Sequence, residues 1–193
     1  ESHDEERLMY KNLNFGNSSN SNHDIKDLDT ALQRMKALGS SLLLIPGPKM
    51  IWHFSEMGME NSIFTCEDGS YGGEDCKLST KPQPQWSDDW TFLNKRKEIY
   101  EYWSKIIEIK INEPVFEGEY ELKVFNQNKL LPTIDIWNDN LSGDTLKYVY
   151  VISNFDITKK SLILDLPISG EWKDLVNNEF IDFSQNSSID LEP

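Results

Sequence analysis

The sequence predicts an α/β segment followed by a small all-β domain, with a boundary near Glu113. Two observations support this. Apolar residues first recur with the 3.6-residue period of a helix and then form an unbroken run typical of a strand buried on both faces. After residue 113 the period changes to two, which indicates short antiparallel strands. A chain of 193 residues can bury one sizeable core or two small ones.

Composition limits the classes of function. Hydrophobic residues make up 38% of the chain and six are Trp, which favours a folded protein over a disordered one. The net charge of −14 argues against binding to nucleic acid or anionic lipid, because phosphates would be repelled. No apolar run approaches the roughly 20 residues that span a bilayer. Neutral polar ligands remain, and carbohydrate is the natural one for an acidic chain rich in Trp and Tyr.

The first strong helical pattern lies just before the unbroken apolar run. Its apolar positions are Leu28, Ala31, Leu32, Met35 and Leu38. Asp27 or Asp29 can cap its start, and Gly39 stands where a left-handed terminator belongs. Residues 42–45 then read as a buried strand of a parallel sheet, stopped by the Pro-Gly-Pro turn at 46–48. Helix, tight turn and buried strand together predict an α/β unit.

Residues 61–92 form a long irregular segment, the 61–92 loop, which contains both cysteines. A loop of this length in a compact domain is usually functional or an insertion. The ten-residue separation of Cys66 and Cys76 suits a local disulfide, which would imply an oxidising compartment. The alternative is a pair of free thiols in a cytosolic loop.

A second amphipathic helix is predicted over residues 94–111. Its inner face carries Ile99, Tyr102, Trp103, Ile106 and Ile109 or Lys110, and its outer face Lys95, Arg96, Lys97 and Glu101. The strands that follow are predicted at 120–124, 133–137, 146–152, 162–166 and 180–183. The strand at 146–152 is apolar enough to be central. Several short strands at this spacing predict an antiparallel sandwich or sheet.

The first seven residues hold a dense group of ionisable side chains. Ser2-His3-Asp4-Glu5 fits a helix capping box, with Ser at the cap and Glu three residues later. A metal site made of His3, Asp4 and Glu6 is a second interpretation, although adjacent residues rarely converge on one ion. A catalytic segment is the third.

The order of the segments along the chain resembles one enzyme family. Residues 2–7 resemble the fourth conserved segment of α-amylase-type glycoside hydrolases (family thirteen), at the end of the seventh strand of a (β/α)8 barrel. Residues 42–52 are similar to the eighth strand, and residues 56–59 to the short segment after it. Residues 94–114 are similar to the eighth helix, and residues 149–181 to the C-terminal β-domain. The resemblance covers most of the chain. Phe54 departs from it, since many members have glycine there.

The resemblance implies a fold and a division of the chain. Residues 1–112 would be the last βα units of the (β/α)8 TIM barrel, from the end of strand seven to helix eight, and residues 113–193 an antiparallel sandwich domain. The parent would be a retaining hydrolase of starch or maltooligosaccharides. Asp4 would stabilise the transition state, His3 would donate a hydrogen bond to the same sugar, and Arg7 would orient nearby carboxylates.

The same resemblance places the nucleophile and the acid/base upstream of Glu1. The chain alone is therefore predicted to be inactive, and the remainder of the barrel is a predicted partner beside the α-glucan. A single buried parallel strand would also leave backbone groups unmatched, which agrees with a piece of a larger protein. No cofactor is indicated, although calcium in the intact parent is compatible with the resemblance. An extracellular, cell-surface or periplasmic location is expected.

Other readings of the sequence remain open. The chain could be a non-catalytic carbohydrate-binding or structural β-module, in which Trp137 and Trp172 stack on sugars if exposed or pack in the sandwich if not. A transglycosylase of the same family, or a homologue that lost catalysis, also fits. His23 and His53 are expected to be a loop residue and a packed residue, without a functional role.

Overall fold

A computed structural model of the chain describes residues 4–125, 128–184 and 188–193. The chain divides into two compact units. The first unit comprises residues up to 36 together with 49–102, and the second unit comprises residues 37–48 together with 103–193. Within the described residues, no helix is both long and apolar enough to cross a bilayer.

Helices occupy the first part of the chain and strands the last part. The α-helices are α1 (Leu8–Phe15), α2 (Leu28–Leu43), α3 (Pro84–Ser87) and α4 (Asn94–Asn112). The strands are β1 (Glu119–Phe125), β2 (Asn128–Trp137), β3 (Tyr148–Ile152), β4 (Lys160–Ile163), β5 (Glu171–Asp174), β6 (Glu179–Asp182) and β7 (Ser188–Leu191). Single 3₁₀ turns lie at Ser55–Met57, Gly73–Cys76, Trp90–Phe92 and Pro114–Glu117.

Helix α2 begins where the sequence predicts. The backbone N–H of Thr30 donates to Asp27 Oδ1 at 3.0 Å, so Asp27 is the capping residue. This hydrogen bond lowers the pKa of the Asp27 carboxyl. Ala31 and Met35 are buried on the apolar face of the helix.

The predicted strand at residues 42–45 is wrong. Helix α2 continues through Gly39 to Leu43, and bends follow it. Gly39 does not terminate the helix: a Cβ there would lie 2.3 Å from Trp103 Nε1, so glycine admits the indole of α4. An unbroken apolar run reads alike in a buried helix and a buried strand. A helix satisfies its backbone groups internally, whereas a lone strand cannot.

A lysine of α4 completes the end of α2. Lys110 Nζ donates to the carbonyl oxygens of Leu43 at 2.8 Å and Gly47 at 3.0 Å, and also to that of Ile45. The last carbonyls of a helix have no intrahelical donor, and a basic side chain is one of the groups that satisfies them.

Helix α4 is confirmed almost to the residue, and Ile99, Trp103 and Ile106 are buried as predicted. The outer position predicted for Arg96 is wrong, because only 5% of this residue is exposed. Arg96 precedes Ile99 by three residues, so helix geometry puts both on one face. Its charge favoured a solvent-exposed position in the prediction. The guanidinium can nevertheless be buried because its N–H groups donate hydrogen bonds to acceptors.

The acceptors of Arg96 lie in the turn before the 61–92 loop. Nη1 donates to the carbonyl oxygens of Met57 at 3.1 Å and Gly58 at 2.7 Å, and Nη2 lies 2.6 Å from Glu60 Oε2. The guanidinium carbon also stands 3.7 Å from the centre of the Trp90 ring, in cation–π contact. Arg96 therefore fixes residues 57–60 against α4.

The second unit carries antiparallel strands, which confirms that part of the predicted fold class. One sheet has the order β1-β2-β3, and two further pairs are β4-β7 and β5-β6. The central position predicted for the strand at 146–152 is wrong, because β2 is central and β3 lies at an edge of this sheet. β5 and β7 were not predicted. Leu162, Leu164 and Phe183 form an apolar cluster with partly buried neighbours.

The barrel part of the predicted fold class has less support. Every strand pair in the described ranges is antiparallel. The assignment of residues 1–112 to a (β/α)8 barrel and of 113–193 to a sandwich domain stays a prediction.

Candidate functional site

The first helix begins further along the chain than the capping-box interpretation requires. Helix α1 starts at Leu8, its N-cap position is Arg7, and no side chain caps it. Asp4 lies in a turn and Glu5 in a bend. The capping-box interpretation is therefore wrong, because Glu5 would have to be in the first helical turn. His3 lies outside the described residues.

Asp4 presents its carboxylate to solvent, with 60% of the side chain exposed. Its Oδ1 lies 3.2 Å from Lys77 Nζ. Lys77 directly follows Cys76, so the 61–92 loop places a cation beside Asp4. The pair is only partly solvated, because 27% of the Lys77 side chain is exposed, and an ion pair near the surface contributes little stability.

Arg7, in contrast, is 4% exposed. Its guanidinium carbon stands 6.0 Å from the centre of the Trp52 ring, at the limit of a cation–π contact. Burial, followed by the positive charge of Arg7, lowers the pKa of the His53 imidazole. The same two causes lower the pKa of the Lys81 ammonium. Arg7 is thus the second cause, after burial, of the lowered pKa of both side chains.

Glu6 ties the N-terminal segment to the 61–92 loop. Ser62 Oγ donates to Glu6 Oε1 at 2.7 Å, and the backbone N–H of Ile63 donates to Glu6 Oε2 at 3.1 Å. Both carboxylate oxygens therefore accept hydrogen bonds from the loop. Within the described part of the chain, no group of three His, Cys, Asp or Glu side chains has the geometry of a metal site.

A disulfide closes the loop that carries Lys77. Cys66 and Cys76 are bonded, with Cα atoms 4.9 Å apart. Gly72 lies against the bridge: a Cβ there would stand 2.3 Å from Cys66 Sγ and 2.4 Å from Cys76 Sγ. Lys81 Nζ donates to the carbonyl of Thr65 at 2.8 Å and to that of Cys76. These contacts fix the backbone on both sides of the bridge.

Phe54, the departure from the family pattern, has a glycine-like backbone. Its φ of 58° and ψ of 22° are left-handed, a conformation that a bulky side chain rarely adopts. Its ring lies 4.9 Å from the His53 ring and 5.4 Å from the Trp86 ring, centre to centre. It also packs on the buried cluster of Met57, Met59 and Trp90. These contacts offset the backbone cost.

The structure thus surrounds Asp4 and Arg7 with residues that sequence reasoning missed. Lys77 is the clearest of them, since it pairs with Asp4 from the disulfide loop. Glu6, which the sequence offered only as a metal ligand, connects the segment to the same loop. Nothing local in the sequence signals the pairing of Asp4 with a residue so far along the chain. The arrangement offers an exposed carboxylate that can accept hydrogen bonds from hydroxyl groups, held by a rigid loop.

The fold is that of a segment of α-amylase-family enzymes. It is similar to a mutant trehalulose synthase (MutB) in complex with Tris, with a TM-score of 0.61 and 15% identity, over 100% of this chain and 41% of that one. It is also similar to the maltogenic amylase from S. marinus, with a TM-score of 0.45 and 19% identity, over 86% of this chain and 21% of that one. At these identities the likeness is one of fold.

This chain therefore spans about two fifths of the trehalulose synthase chain. No protein-family model matches the sequence, and no curated protein matches it.

Proposed function

We propose that this chain is the C-terminal part of a retaining glycoside hydrolase of the α-amylase type, acting on starch or maltooligosaccharides. The observation that carries the proposal is the position of Asp4: an exposed carboxylate in a turn, in a chain whose fold is similar over its whole length to part of a trehalulose synthase. A carboxylate that capped a helix would have favoured a structural role.

In this proposal Asp4 accepts hydrogen bonds from the hydroxyl groups of the reacting sugar. These bonds strengthen as the ring distorts towards an oxocarbenium-like transition state, so they raise kcat rather than affinity alone. His3 donates a hydrogen bond to the same sugar. Arg7, buried beside Trp52, positions the segment electrostatically. The nucleophile and the acid/base belong to other parts of the enzyme.

The test is the substitution Asp4→Asn in the complete enzyme that contains this chain. We expect kcat on soluble starch to fall by about three orders of magnitude or more, because a charged transition-state contact is lost. The free energy of unfolding should change by less than about 0.5 kcal/mol, because the ion pair with Lys77 is exposed.

Asp144→Asn is the matched control, since Asp144 is also an exposed aspartate and lies in the second unit. It should leave kcat unchanged. If the Asp4→Asn enzyme retained kcat, Asp4 would not be part of the active site. Assay of the 193-residue chain alone gives a second test, and reproducible turnover of starch would contradict the assignment of nucleophile and acid/base elsewhere.

Two further properties belong to this proposal. The disulfide between Cys66 and Cys76 favours an extracellular, cell-surface or periplasmic enzyme, because such bonds persist in oxidising compartments. Calcium in the complete enzyme is compatible with it, although the residues above do not assign a site for the ion.

A further inference from the structure

The second unit contains a cavity of about 320 Å³ lined by aromatic side chains. This volume lies at the lower end of the range for small-molecule sites, about 300–1,000 Å³. Trp137, Tyr148, Tyr150 and Trp172 line it. The two tryptophans that sequence analysis singled out as candidate sugar contacts therefore meet in one cavity.

The register of the β1-β2-β3 sheet explains the aromatic lining. Asp135 pairs with Tyr150, and Trp137 pairs with Tyr148. Alternate residues of a strand share a face, so these four side chains stand together on one side of the sheet. Trp172 of β5 also lines the cavity.

The orientation of Trp172 is fixed by a hydrogen bond. Its Nε1–H donates to the carbonyl oxygen of Ile168 at 3.0 Å. The indole also packs on the apolar cluster of Leu162, Leu164 and Phe183. Its only donor is thus already used, and what the side chain offers a ligand is its ring.

Three carboxylates supply the polar contacts of the cavity. Asp135 Oδ2 lies 2.6 Å from Lys123 Nζ, whereas Asp135 Oδ1 is buried and accepts no hydrogen bond from the described residues. Asp139 accepts from the hydroxyl of Tyr148 at 3.1 Å. Asp165 also lines the cavity. Asp135 Oδ1 is closed to solvent, whereas Asp139 and Asp165 are exposed, so these two carboxylates are the ones that the hydroxyl groups of a ligand can reach.

The balance of charge narrows the class of ligand. Three carboxylates against the single ammonium of Lys123 disfavour anions such as acidic or sulfated sugars. Within the described residues, no group of three or more His, Cys, Asp or Glu side chains could hold a metal ion. Flat aromatic rings beside hydroxyl acceptors match a neutral pyranose, which has an apolar face and hydroxyl groups at its edge.

We propose that this cavity binds a neutral oligosaccharide, with a sugar ring stacked on Trp137 and a hydroxyl group donating to Asp165. Only residues of the second unit take part. The site is therefore independent of the proposed catalytic function, and only the choice of an α-glucan as the first probe rests on that function.

The test is isothermal titration calorimetry of the 193-residue chain with maltoheptaose and, separately, with cellohexaose. We expect binding of at least one of them. Trp137→Ala should weaken it about tenfold, the size expected for the loss of one stacked aromatic face. Trp137→Phe should restore most of the affinity. Asp165→Asn should weaken binding severalfold without disturbing the apolar cluster.

Trp86→Ala is the matched control, because Trp86 is a 68% exposed tryptophan of the first unit. It should bind like the unchanged chain, and circular dichroism should show that every variant is folded. Binding of cellohexaose but not maltoheptaose, lost in Trp137→Ala, would support the site and contradict the α-glucan assignment. The proposal would be overturned if neither sugar bound, or if Trp137→Ala and Trp86→Ala bound equally well. Preferential binding of the cation spermidine would also overturn it.

Discussion

Two regions of the chain hold their backbone in place by different means. The turn and loop of residues 52–92 contain no strand of two or more residues and depend on a few strong, specific contacts. These are a disulfide, the hydrogen bonds that Lys81 donates, those that the Glu6 carboxylate accepts, and the buried guanidinium of Arg96. The strands of residues 119–191 depend on repeated ladder hydrogen bonds and an apolar cluster.

The difference bears on how each region tolerates change. Where a single side chain satisfies several backbone groups, its removal exposes all of them at once. Where many small contacts share the stabilisation, each one matters less. The region of residues 52–92, which contacts the candidate catalytic segment through Glu6 and Asp4, should therefore be the region more sensitive to single substitutions.

The largest expected effect is at Arg96. Arg96→Met removes the donors of the Met57 and Gly58 carbonyls and leaves Glu60 without its cation. We expect a loss of about 3 kcal/mol in the free energy of unfolding, measured by urea denaturation. Lys97→Met is the matched control on the same helix, since Lys97 is exposed and pairs only with Glu101. It should cost less than about 0.5 kcal/mol. If both variants lost the same free energy of unfolding, the contacts of Arg96 would not be what makes this region sensitive to substitution.

The disulfide comes next. The double substitution Cys66→Ser with Cys76→Ser should lower the free energy of unfolding by about 2.5 kcal/mol, as expected for a loop of this length. Hydrogen exchange should show the difference between the regions directly. Amides of residues 61–80 should exchange faster in the variant, and those of β1–β3 should not change. A uniform increase over both regions would contradict the separation.

The smallest effect is expected at Phe54, where the prediction is which of two variants is the more stable. Phe54→Gly and Phe54→Ala both lose the ring contacts, but only glycine relieves the left-handed backbone. The Phe54→Gly protein should therefore be more stable than the Phe54→Ala protein by about 1 kcal/mol.

The same pair of substitutions at Phe92 gives the control, because Phe92 is exposed and its backbone is not left-handed. There the alanine variant should be the more stable, since glycine loses more conformational freedom on folding. Thermal unfolding measures both pairs. A more stable alanine variant at both positions would show that the Phe54 backbone is not strained.

The fold could be predicted from the sequence where a local period decides it. The bounds of α4 and the alternation of β1 follow from spacing and residue type, and the cap of α2 was narrowed to Asp27 or Asp29. Residues 42–45 could not be assigned this way, because a buried helix and a buried strand share an unbroken apolar run. Arg96 was misplaced because residue type was given more weight than its spacing from Ile99.

The candidate site could be predicted only in part. The resemblance supplied Asp4 and Arg7, whereas Lys77 and the hydrogen bonds that Glu6 accepts emerge only from the folded loop. A contact between residues separated by most of a unit depends on the path of the chain between them. The spacing of residues in the sequence does not predict that path.

The contact of Gly72 with the disulfide limits the order in which residues of this loop can be substituted during evolution. Its backbone is ordinary, with φ of −114°, so what excludes a side chain is the bridge itself, both its sulfurs and the Cβ of Cys76. A lineage that first lost both cysteines would be free to replace this glycine. A lineage that first replaced the glycine would strain or break the bridge. Among descendants of this sequence, a substituted residue 72 should accordingly be found with the cysteines already gone, and not beside an intact pair.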